Sequence, residues 1–409
     1  MNIDDGMMEL TEISGGVTAA LGFVAAGMHC GIRKKKLDLA ILRSRVPASV
    51  AGVFTMNKAQ AAPIIVDKLQ LKRTDCCSAI VVNSGNANAC TGERGLNDAW
   101  HMVRVAAAAL GVPADEVLVS STGVIGQYLP IEAIADGITQ LVPFLEQEGG
   151  HDAAEAIMTT DTFAKEFAVS YQMGERTITI GSMAKGSGMI APNMATVLGF
   201  VATDAAISTP LLQQALRGAI ARSFNRVSVD GDTSTNDMVI ALANGESGTP
   251  MIAEGSSEYV AFYTALEYLL TKLAKMIARD GEGATKLIEV VVRAAATEEE
   301  AEIAARAIAN SNLVKTAIHG EDANWGRIIA AVGYSGIEFD PEAITIALNQ
   351  VPVLLPNYEI VIDEDRAKAA LASECVMIEV NLGRGSDEAT FWTCDLSKEY
   401  VHINASYRS

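Results

Sequence analysis

The sequence predicts an α/β fold built in layers, because strand-like and helix-like segments alternate along both halves of its 409 residues. Residues 79–82 form a short apolar run that is typical of a buried strand, and residues 96–110 follow with the length and alanine content of a helix. The same order of strand and helix recurs in the second half. Residues 288–292 are a predicted strand, and a helix is predicted from Thr297, whose spacing to Glu300 is that of a helix capping box.

In the first half, strands are predicted where short apolar or alternating runs lie between turn signals, and helices where longer alanine-rich stretches follow. Pro130 suits the first turn of a helix, because it has no N–H to lose there. Residues 167–171 and 177–181 alternate like the two arms of a hairpin. The predicted strands are 50–56, 61–66, 79–82, 117–120, 167–171, 177–181 and 196–202, and the predicted helices are 96–110, 130–148 and 151–158.

The second half continues the alternation and then becomes strand-rich. Residues 258–279 carry apolar side chains at helical spacing and predict a long helix. The acidic run from Asp230 to Asp237 fits a turn that leads into a helix cap, and its spacing fails the template of a calcium-binding loop. The other predicted helices are 211–223 and one from Thr297, and the predicted strands are 226–229, 288–292, 344–348, 360–362, 376–382, 390–394 and 400–403.

Composition excludes several classes of function. The formal net charge of −19 argues against binding to nucleic acid, which requires basic surfaces to neutralise phosphates. Six scattered cysteines fit no zinc motif, and we expect reduced thiols in the cytosol. The acidic N-terminus lacks the basic and apolar regions of a secretory signal. The uncharged run after Lys185 has too many Gly, Pro, Asn and Thr residues for a membrane span, so we expect no membrane partner.

The most informative stretch runs from Lys185 to Phe200. Gly186, Gly188 and Pro192 disfavour a helix in its first half, and a buried strand is predicted from Thr196 onward. Three interpretations fit: a core strand after a loop, a dinucleotide-binding glycine loop at 186–188, or a threonine nucleophile released by self-cleavage. A threonine hydroxyl needs a base, and an N-terminal threonine carries its own, an α-amine with an ordinary pKa of about 8.

Residues 185–200 resemble the self-processing motif of the ornithine acetyltransferase (glutamate N-acetyltransferase) family, with Val197 where that family more often has Met. The resemblance extends over effectively the whole chain. It implies cleavage of the bond between Ala195 and Thr196, giving an α chain of 1–195 and a β chain of 196–409. It also implies a layered sandwich of two β-sheets between helix layers.

The resemblance also implies roles for individual residues. Thr122 and Gly123 follow a predicted strand and correspond to the pair that stabilises the oxyanion, a role that a hydroxyl and a backbone N–H can fill. The acidic run 230–237 and the Asn-rich run 83–88 also match the family, the first near its active site. The residues implied to bind substrate are Thr159, Thr196, Glu282, Asn404 and Ser409, and Lys185 is our candidate for the cation that binds a carboxylate.

The activity implied is transfer of acetyl from N2-acetylornithine to glutamate in arginine biosynthesis, through an acetyl ester on Thr196 and with no metal or bound cofactor. The sequence leaves open whether acetyl-CoA also serves as a donor. The family suggests a heterotetramer of two α and two β chains. Two other functions remain as alternatives: an N-terminal-nucleophile aminopeptidase or amidase of similar fold, and a dinucleotide-binding protein that uses Gly186 to Gly188.

Overall fold

The computed structural model describes residues 9–191 and 197–406, and within these ranges it contains fifteen β-strands and eleven α-helices. The chain divides into two compact units, each made of three segments. Unit 1 comprises Met1–Gly186, Pro192–Asn225 and Thr233–Leu273, and unit 2 comprises Ser187–Ala191, Arg226–Asp232 and Ala274–Ser409.

Unit 1 is built on a nine-stranded mixed sheet. Its strands are β1 (Leu10–Ile13), β2 (Phe23–Met28), β3 (Leu39–Phe54), β4 (Cys76–Asn86), β5 (Val117–Val124), β6 (Lys165–Met173), β7 (Arg176–Lys185), β8 (Leu198–Thr203) and β9 (Met238–Ala243). They lie in the order β1-β6-β7-β8-β9-β3-β4-β5, and β2 pairs with β3. The pairs β4–β5 and β8–β9 are parallel, and the other pairs are antiparallel.

The helices of unit 1 cover this sheet because its central strands are apolar on both faces. On β4, Ile80 and Val82 belong to one buried cluster, while Ala79 and Val81 belong to another that includes helical residues such as Met102. Side chains of a strand alternate between faces, so a continuous apolar run requires cover on both sides. The helices are α1 (Ala62–Gln70), α2 (Gly92–Leu110), α3 (Ile131–Leu141), α4 (Gly150–Ala156) and α5 (Thr209–Arg222), followed by α6 (Ser257–Arg279), whose last residues belong to unit 2.

Unit 2 has a six-stranded sheet of order β13-β12-β11-β14-β10-β15, in which only the β10–β14 pair is parallel among the described strands. Thr297 accepts a hydrogen bond from the N–H of Glu300 at 3.2 Å, so the predicted cap of the helix after β10 is confirmed. The strands are β10 (Leu287–Ala295), β11 (Thr345–Leu348), β12 (Val351–Leu355), β13 (Glu359–Ile360), β14 (Cys375–Asn381) and β15 (Asp387–Cys394), and the helices are α7 (Glu298–Ala309), α8 (Asn312–His319), α9 (Trp325–Gly333), α10 (Glu364–Leu371) and α11 (Lys398–Ala405).

The predicted α/β class is confirmed, with two sheets and helices packed on them, but four local predictions are wrong. Residues 61–66 begin α1 instead of a strand, because Pro63 lies in the first turn of a helix that continues into polar residues. Residues 400–403 lie in α11, which Ser397 caps by accepting the N–H of Glu399. Residues 226–229 form one isolated bridge in place of a strand, and β9 follows the acidic run where a helix was predicted.

A buried ion pair fixes the beginning of β6. The Lys165 ammonium donates to Asp161 Oδ1 at 2.6 Å, and both side chains are fully buried. Burial opposes ionisation of Asp161, but the charges of Lys165 and Lys185 and the hydrogen bonds that it accepts hold its pKa below the usual range. The carboxylate is therefore ionised at neutral pH, and the loop before β6 depends on its partners.

We expect Lys165→Met to destabilise the protein by about 3–5 kcal/mol, because it leaves a buried carboxylate without its closest cation. Lys272→Met is the matched control, since Lys272 pairs with Glu12 at 2.8 Å with both side chains well exposed, and it should cost less than about 1 kcal/mol. Urea unfolding followed by circular dichroism measures both variants. Equal transition midpoints for the two variants would contradict the importance of the buried pair.

Candidate functional site

The Thr122–Gly123 pair lies near the end of β5, where that strand runs parallel to β4. Gly123 has a φ of +131°, and a Cβ on it would lie 2.3 Å from the carbonyl carbon of Gly85 on β4. Only glycine tolerates this backbone conformation together with such a close approach. The local fold therefore dictates the glycine beside Thr122.

The hydroxyl of Thr122 is buried and accepts a hydrogen bond from the ammonium of Lys185 at 3.1 Å. A threonine hydroxyl that accepts through its oxygen keeps its proton available for donation to another oxygen. Lys185 is the last residue of β7, and it reaches Thr122 across 63 positions of sequence. The structure thus brings the predicted cation to the predicted oxyanion pair.

Buried amides hold the end of β5 in place. Ser121 donates to Asn83 Oδ1 at 2.6 Å, and the side-chain amide of Asn83 donates to the carbonyl of Asn86 at 2.9 Å. The amide of Asn236 donates to the carbonyls of Ser121 and Ala87 at 2.8 and 2.6 Å. A satisfied buried network of this kind rigidifies the backbone that it bonds. The Asn-rich run is therefore a structural support for Thr122 and not a surface turn.

Thr159 is held from two sides through its backbone. Its N–H donates to Asp161 Oδ2 at 2.9 Å, and its carbonyl accepts from the Arg33 guanidinium at 3.1 Å. The other oxygen of Asp161 accepts the N–H of Gly186 at 2.7 Å, next to Lys185. One carboxylate therefore links Thr159 to the residue that follows the predicted cation.

Asp237 is a second buried acid in the electrostatic neighbourhood of Lys185. Asp237 is only 4% exposed, and its Oδ2 has no hydrogen-bond partner within the described parts of the chain. Burial raises the pKa of Asp237 well above its usual range, and the Lys185 charge and Ser234 offset only part of that rise. The pKa values of Asp237 and Asp161 are therefore shifted in opposite directions.

In unit 2, Glu282 is buried and oriented. Glu282 is 7% exposed, and its Oε2 accepts a hydrogen bond from the side-chain amide of Asn404 at 2.7 Å. A Cβ on Gly188 would lie 2.4 Å from the carboxyl carbon of Glu282, so a side chain at position 188 would displace this carboxylate. Glu282 is thus shielded from solvent, and Asn404 fixes the direction of its carboxylate.

Asp230 anchors the loop residues that precede position 192. Its two carboxylate oxygens accept the backbone N–H groups of Met189 and Ile190 at 2.6 and 2.8 Å. The hydroxyl of Tyr400 lies 3.4 Å from the same carboxylate. Burial, followed by the charges of Asp230 and Glu282, raises the pKa of Tyr400, so its hydroxyl stays protonated.

The predicted site residues that the structure describes thus fall into two groups. Within unit 1 the structure brings together Thr122, Gly123, Lys185 and Thr159, and within unit 2 it brings together Glu282 and Asn404. Ala195, Thr196 and Ser409, which were predicted to be the cleavage site, the nucleophile and a substrate contact, lie outside the described residues.

The dinucleotide interpretation is wrong for this loop. A dinucleotide fingerprint needs a helix directly after the glycines, but no helix begins within residues 186–191, and Gly188 packs on Glu282. Among the described residues no group of His, Cys, Asp and Glu side chains could hold a metal ion. No helix in that same part of the chain is long and apolar enough to cross a membrane.

Sequence reasoning gave no individual role to the residues that organise these groups, although the family resemblance placed the acidic run 230–237 near the active site. Asp161 and Arg33 hold the backbone around Thr159, and Asp230 holds the loop at Met189. A signal existed for the aspartates, since both lie in polar runs beside apolar strands. Nothing in the sequence connects Arg33 with residue 159, because that contact joins segments 126 positions apart.

Comparison with known proteins identifies the family. The model of the ArgJ family matches residues 24–409. The arginine biosynthesis bifunctional protein ArgJ of Symbiobacterium thermophilum is 53% identical over 400 residues, which are 97% of this chain and 99% of that protein. The protein of the same name from Caldanaerobacter subterraneus subsp. tengcongensis is 49% identical over 413 residues and covers all of both chains.

A solved structure adds a match in three dimensions. The crystal structure of the arginine biosynthesis bifunctional protein from Bacillus halodurans matches with 48% identity and a TM-score of 0.50, covering 51% of this chain and 98% of the solved chain. The resemblance inferred from residues 185–200 is therefore confirmed. The family model and the full-length identity of the relatives establish that the chain belongs to the ArgJ family of arginine-biosynthesis enzymes and is an acyltransferase.

Proposed function

We propose that the chain cuts itself between Ala195 and Thr196 and then transfers acetyl from N2-acetylornithine to glutamate. The hydrogen bond from the Lys185 ammonium to the Thr122 hydroxyl is the observation that carries this proposal. It puts a cation and an oxyanion donor side by side, which suits a substrate with both an acyl group and a carboxylate. The names of the relatives support a reaction in arginine biosynthesis.

The transfer proceeds in two steps. The Oγ of Thr196 attacks the acetyl carbonyl, its proton passes to the Thr196 α-amine, and ornithine leaves with a proton on its nitrogen. Glutamate then attacks the acetyl ester through its own amine and regenerates the hydroxyl. In both steps the Thr122 hydroxyl and the Gly123 N–H stabilise the oxyanion, a contribution worth roughly 100- to 1000-fold in rate for each donor. The chemistry requires no metal and no bound cofactor.

The charges of the two substrates suggest which side chains bind them. Acetylornithine and glutamate share an α-carboxylate, for which Lys185 is the cation. The buried carboxylate of Glu282 has the charge to bind a substrate amine, and Asn404 keeps it oriented. Thr159 and Ser409 are the further substrate contacts that the family resemblance implies.

Two properties of the relatives extend the proposal. The solved chain from Bacillus halodurans matches over nearly its full length yet covers only about half of this chain, which is the size expected of one processed chain. We propose a heterotetramer of two 1–195 chains and two 196–409 chains. The relatives are named bifunctional, which supports acetyl-CoA as a second acetyl donor to glutamate.

Self-cleavage is the first test. The wild-type protein should run as two chains of similar size on a denaturing gel, with the second beginning at Thr196. Thr196→Ala should remain one chain, because it lacks the hydroxyl that attacks the peptide carbonyl. Thr203→Ala is the matched control and should cleave normally, since that hydroxyl donates to the carbonyl of Thr179 within the sheet. Intact Thr203→Ala or cleaved Thr196→Ala would contradict the assignment.

Steady-state kinetics test the acetyl-Thr intermediate. Ornithine must leave before glutamate reacts, so plots of reciprocal rate against reciprocal acetylornithine concentration should be parallel at different glutamate concentrations. Mass spectrometry should find one acetyl group on the 196–409 chain when glutamate is omitted. Intersecting lines would indicate a ternary complex. Ornithine release at full speed without glutamate would instead favour the amidase alternative, in which water takes the acetyl group.

Glu282→Gln tests the binding of the substrate amine. The amide keeps the size of the side chain and can still accept from Asn404, so cleavage and folding should be retained. We expect loss of the charged partner to cost about 2–5 kcal/mol in kcat/KM for acetyl transfer. Glu388→Gln is the control, because Glu388 is largely exposed and lies 3.6 Å from Arg293. Wild-type transfer by fully cleaved Glu282→Gln would remove Glu282 from the site.

A further inference from the structure

Four consecutive basic residues stand out in this acidic chain. Arg33, Lys34, Lys35 and Lys36 follow one another, and no other run in the sequence has more than two consecutive Lys or Arg residues. The chain has 31 Lys and Arg residues against 50 Asp and Glu residues, so the run reverses the sign of the charge locally. We call residues 29–38, which join β2 to β3, the basic loop.

The basic loop is held in shape through its backbone. Asp38 is fully buried, and its two carboxylate oxygens accept the N–H groups of Cys30 and Arg33 at 2.6 and 2.8 Å. The ring of His29 lies 3.0 Å from the carbonyl oxygen of Lys36, at the other end of the basic run. These bonds use no lysine ammonium group, so the shape of the loop does not depend on the lysine side chains.

The lysine side chains of the basic loop are accessible to a ligand. The lysines at positions 34–36 are exposed, and none of them forms a salt bridge within the parts of the chain that the structure describes. Arg33 differs from them, because its guanidinium donates to the carbonyls of Met158 and Thr159 at 2.7 and 3.1 Å. The basic loop thus combines one anchored cation with three exposed ones.

The basic loop lies beside the proposed oxyanion pair. Arg33 packs on Gly85 of β4, where an added Cβ would lie 2.8 Å from Arg33 Cγ. Gly85 is the register partner of Gly123 on β5, and an added Cβ on Gly123 would lie 2.7 Å from Gly85 Cα. Consecutive Cα atoms are about 3.8 Å apart, so the exposed lysines begin one residue beyond this contact.

The two proposed acetyl donors differ greatly in charge. N2-Acetylornithine has one carboxylate and one ammonium group, so its charges cancel and the net charge of −19 does not repel it. Acetyl-CoA has a 3′-phosphate, which as a phosphomonoester carries about −1.5 to −2 at pH 7, and a diphosphate that adds further negative charge. A protein field of the same sign opposes the approach and binding of such a ligand. Acetyl-CoA therefore needs a local cluster of cations that acetylornithine does not need.

We propose that the basic loop binds the phosphates of acetyl-CoA, an inference that rests on the proposed function, in which acetyl-CoA is a second donor. The lysines at 34–36 donate to the phosphate oxygens, and Arg33 positions the loop. A lysine ammonium is a point charge on a flexible stem, which suits several phosphate oxygens at once. The pantetheine arm then extends from the loop toward Thr122 and Gly123, where the acetyl group reacts.

Calorimetric titration with coenzyme A tests the site without any turnover. In the loop variant, Lys34→Gln, Lys35→Gln and Lys36→Gln are combined, which keeps every backbone bond of the basic loop. Its thermal unfolding midpoint should match that of wild type. We expect its Kd for coenzyme A to rise about tenfold or more, the combined loss of three exposed charge contacts.

The control variant combines Lys72→Gln, Arg366→Gln and Lys368→Gln. All three side chains are exposed; Lys72 follows α1, and the other two lie in α10. Both variants lose the same number of positive charges, so any long-range effect of net charge is shared. The control should bind coenzyme A as wild type does. Equal weakening in both variants, or no binding of coenzyme A by wild type, would overturn the proposal.

Initial rates with different donors separate a phosphate site from a general defect. The loop variant should lose about tenfold in kcat/KM with acetyl-CoA. It should match wild type with acetylornithine and with S-acetylpantetheine, because neither donor has a phosphate. Equal losses with acetyl-CoA and a phosphate-free donor would show that the loop shapes the acetyl site itself, and the phosphate assignment would be wrong. If wild type uses no acetyl donor, the proposed function fails, while the calorimetry still decides the inference.

A wild-type measurement covers failure of the loop variant to fold. Added salt screens exposed charges, so the direction of its effect shows which charges dominate binding of coenzyme A. The Kd should rise with ionic strength if the basic loop attracts the phosphates. It should fall if repulsion by the net charge of −19 dominates. A fall, or a Kd that does not change, would contradict the proposal.

Discussion

The arrangement in unit 1 depends on how two buried carboxyl groups share the charge of Lys185. Asp161 accepts hydrogen bonds from Lys165, Thr159 and Gly186, so its ionised form is well stabilised despite burial. Asp237 has an oxygen with no such partner among the described residues, and desolvation dominates. Burial alone raises the pKa of an acid, and only charges and donated hydrogen bonds can reverse that effect. The charges and hydrogen-bond donors around each aspartate thus determine the direction in which its pKa is shifted.

Parallel strand pairs explain why the candidate residues of unit 1 lie at strand ends. In the β4–β5 pair, Gly123 lies against Gly85, and the absence of a side chain lets the two backbones approach. In the β8–β9 pair, Val197 meets Met238 where both strands begin. Because parallel strands begin and end at common edges, residues distant in sequence meet there. The register of the sheet therefore determines which residues at the strand ends lie close together.

The sequence predicted the fold class and the chemical motif because both depend on local information. Strand–helix alternation requires only the apolar pattern, and the run from Lys185 to Phe200 carries its own signature. The error at residues 61–66 arose because a short apolar run fits either a strand or a buried helix. The partners of Asp161 and Arg33 could not have been assigned from the sequence. Their contacts with Thr159 and Gly186 exist only after β6, β7 and the loop between β2 and β3 have assembled. The acidic run 230–237 shows the same limit, since Asp230 serves unit 2 and Asp237 serves unit 1.

The net charge of −19 repels anions at long range, so binding of the proposed carboxylate substrates would require positive charge that is concentrated locally. The four charged or ionisable groups described around the end of β7 achieve this. Lys165 and Lys185 contribute two positive charges, and ionised Asp161 removes one. These three groups sum to one positive charge, which suits the α-carboxylate that the two proposed substrates share, and desolvation of Asp237 disfavours a further negative charge beside them. Because an ionised Asp237 would cancel that charge, the burial of this side chain favours the local attraction for an anion.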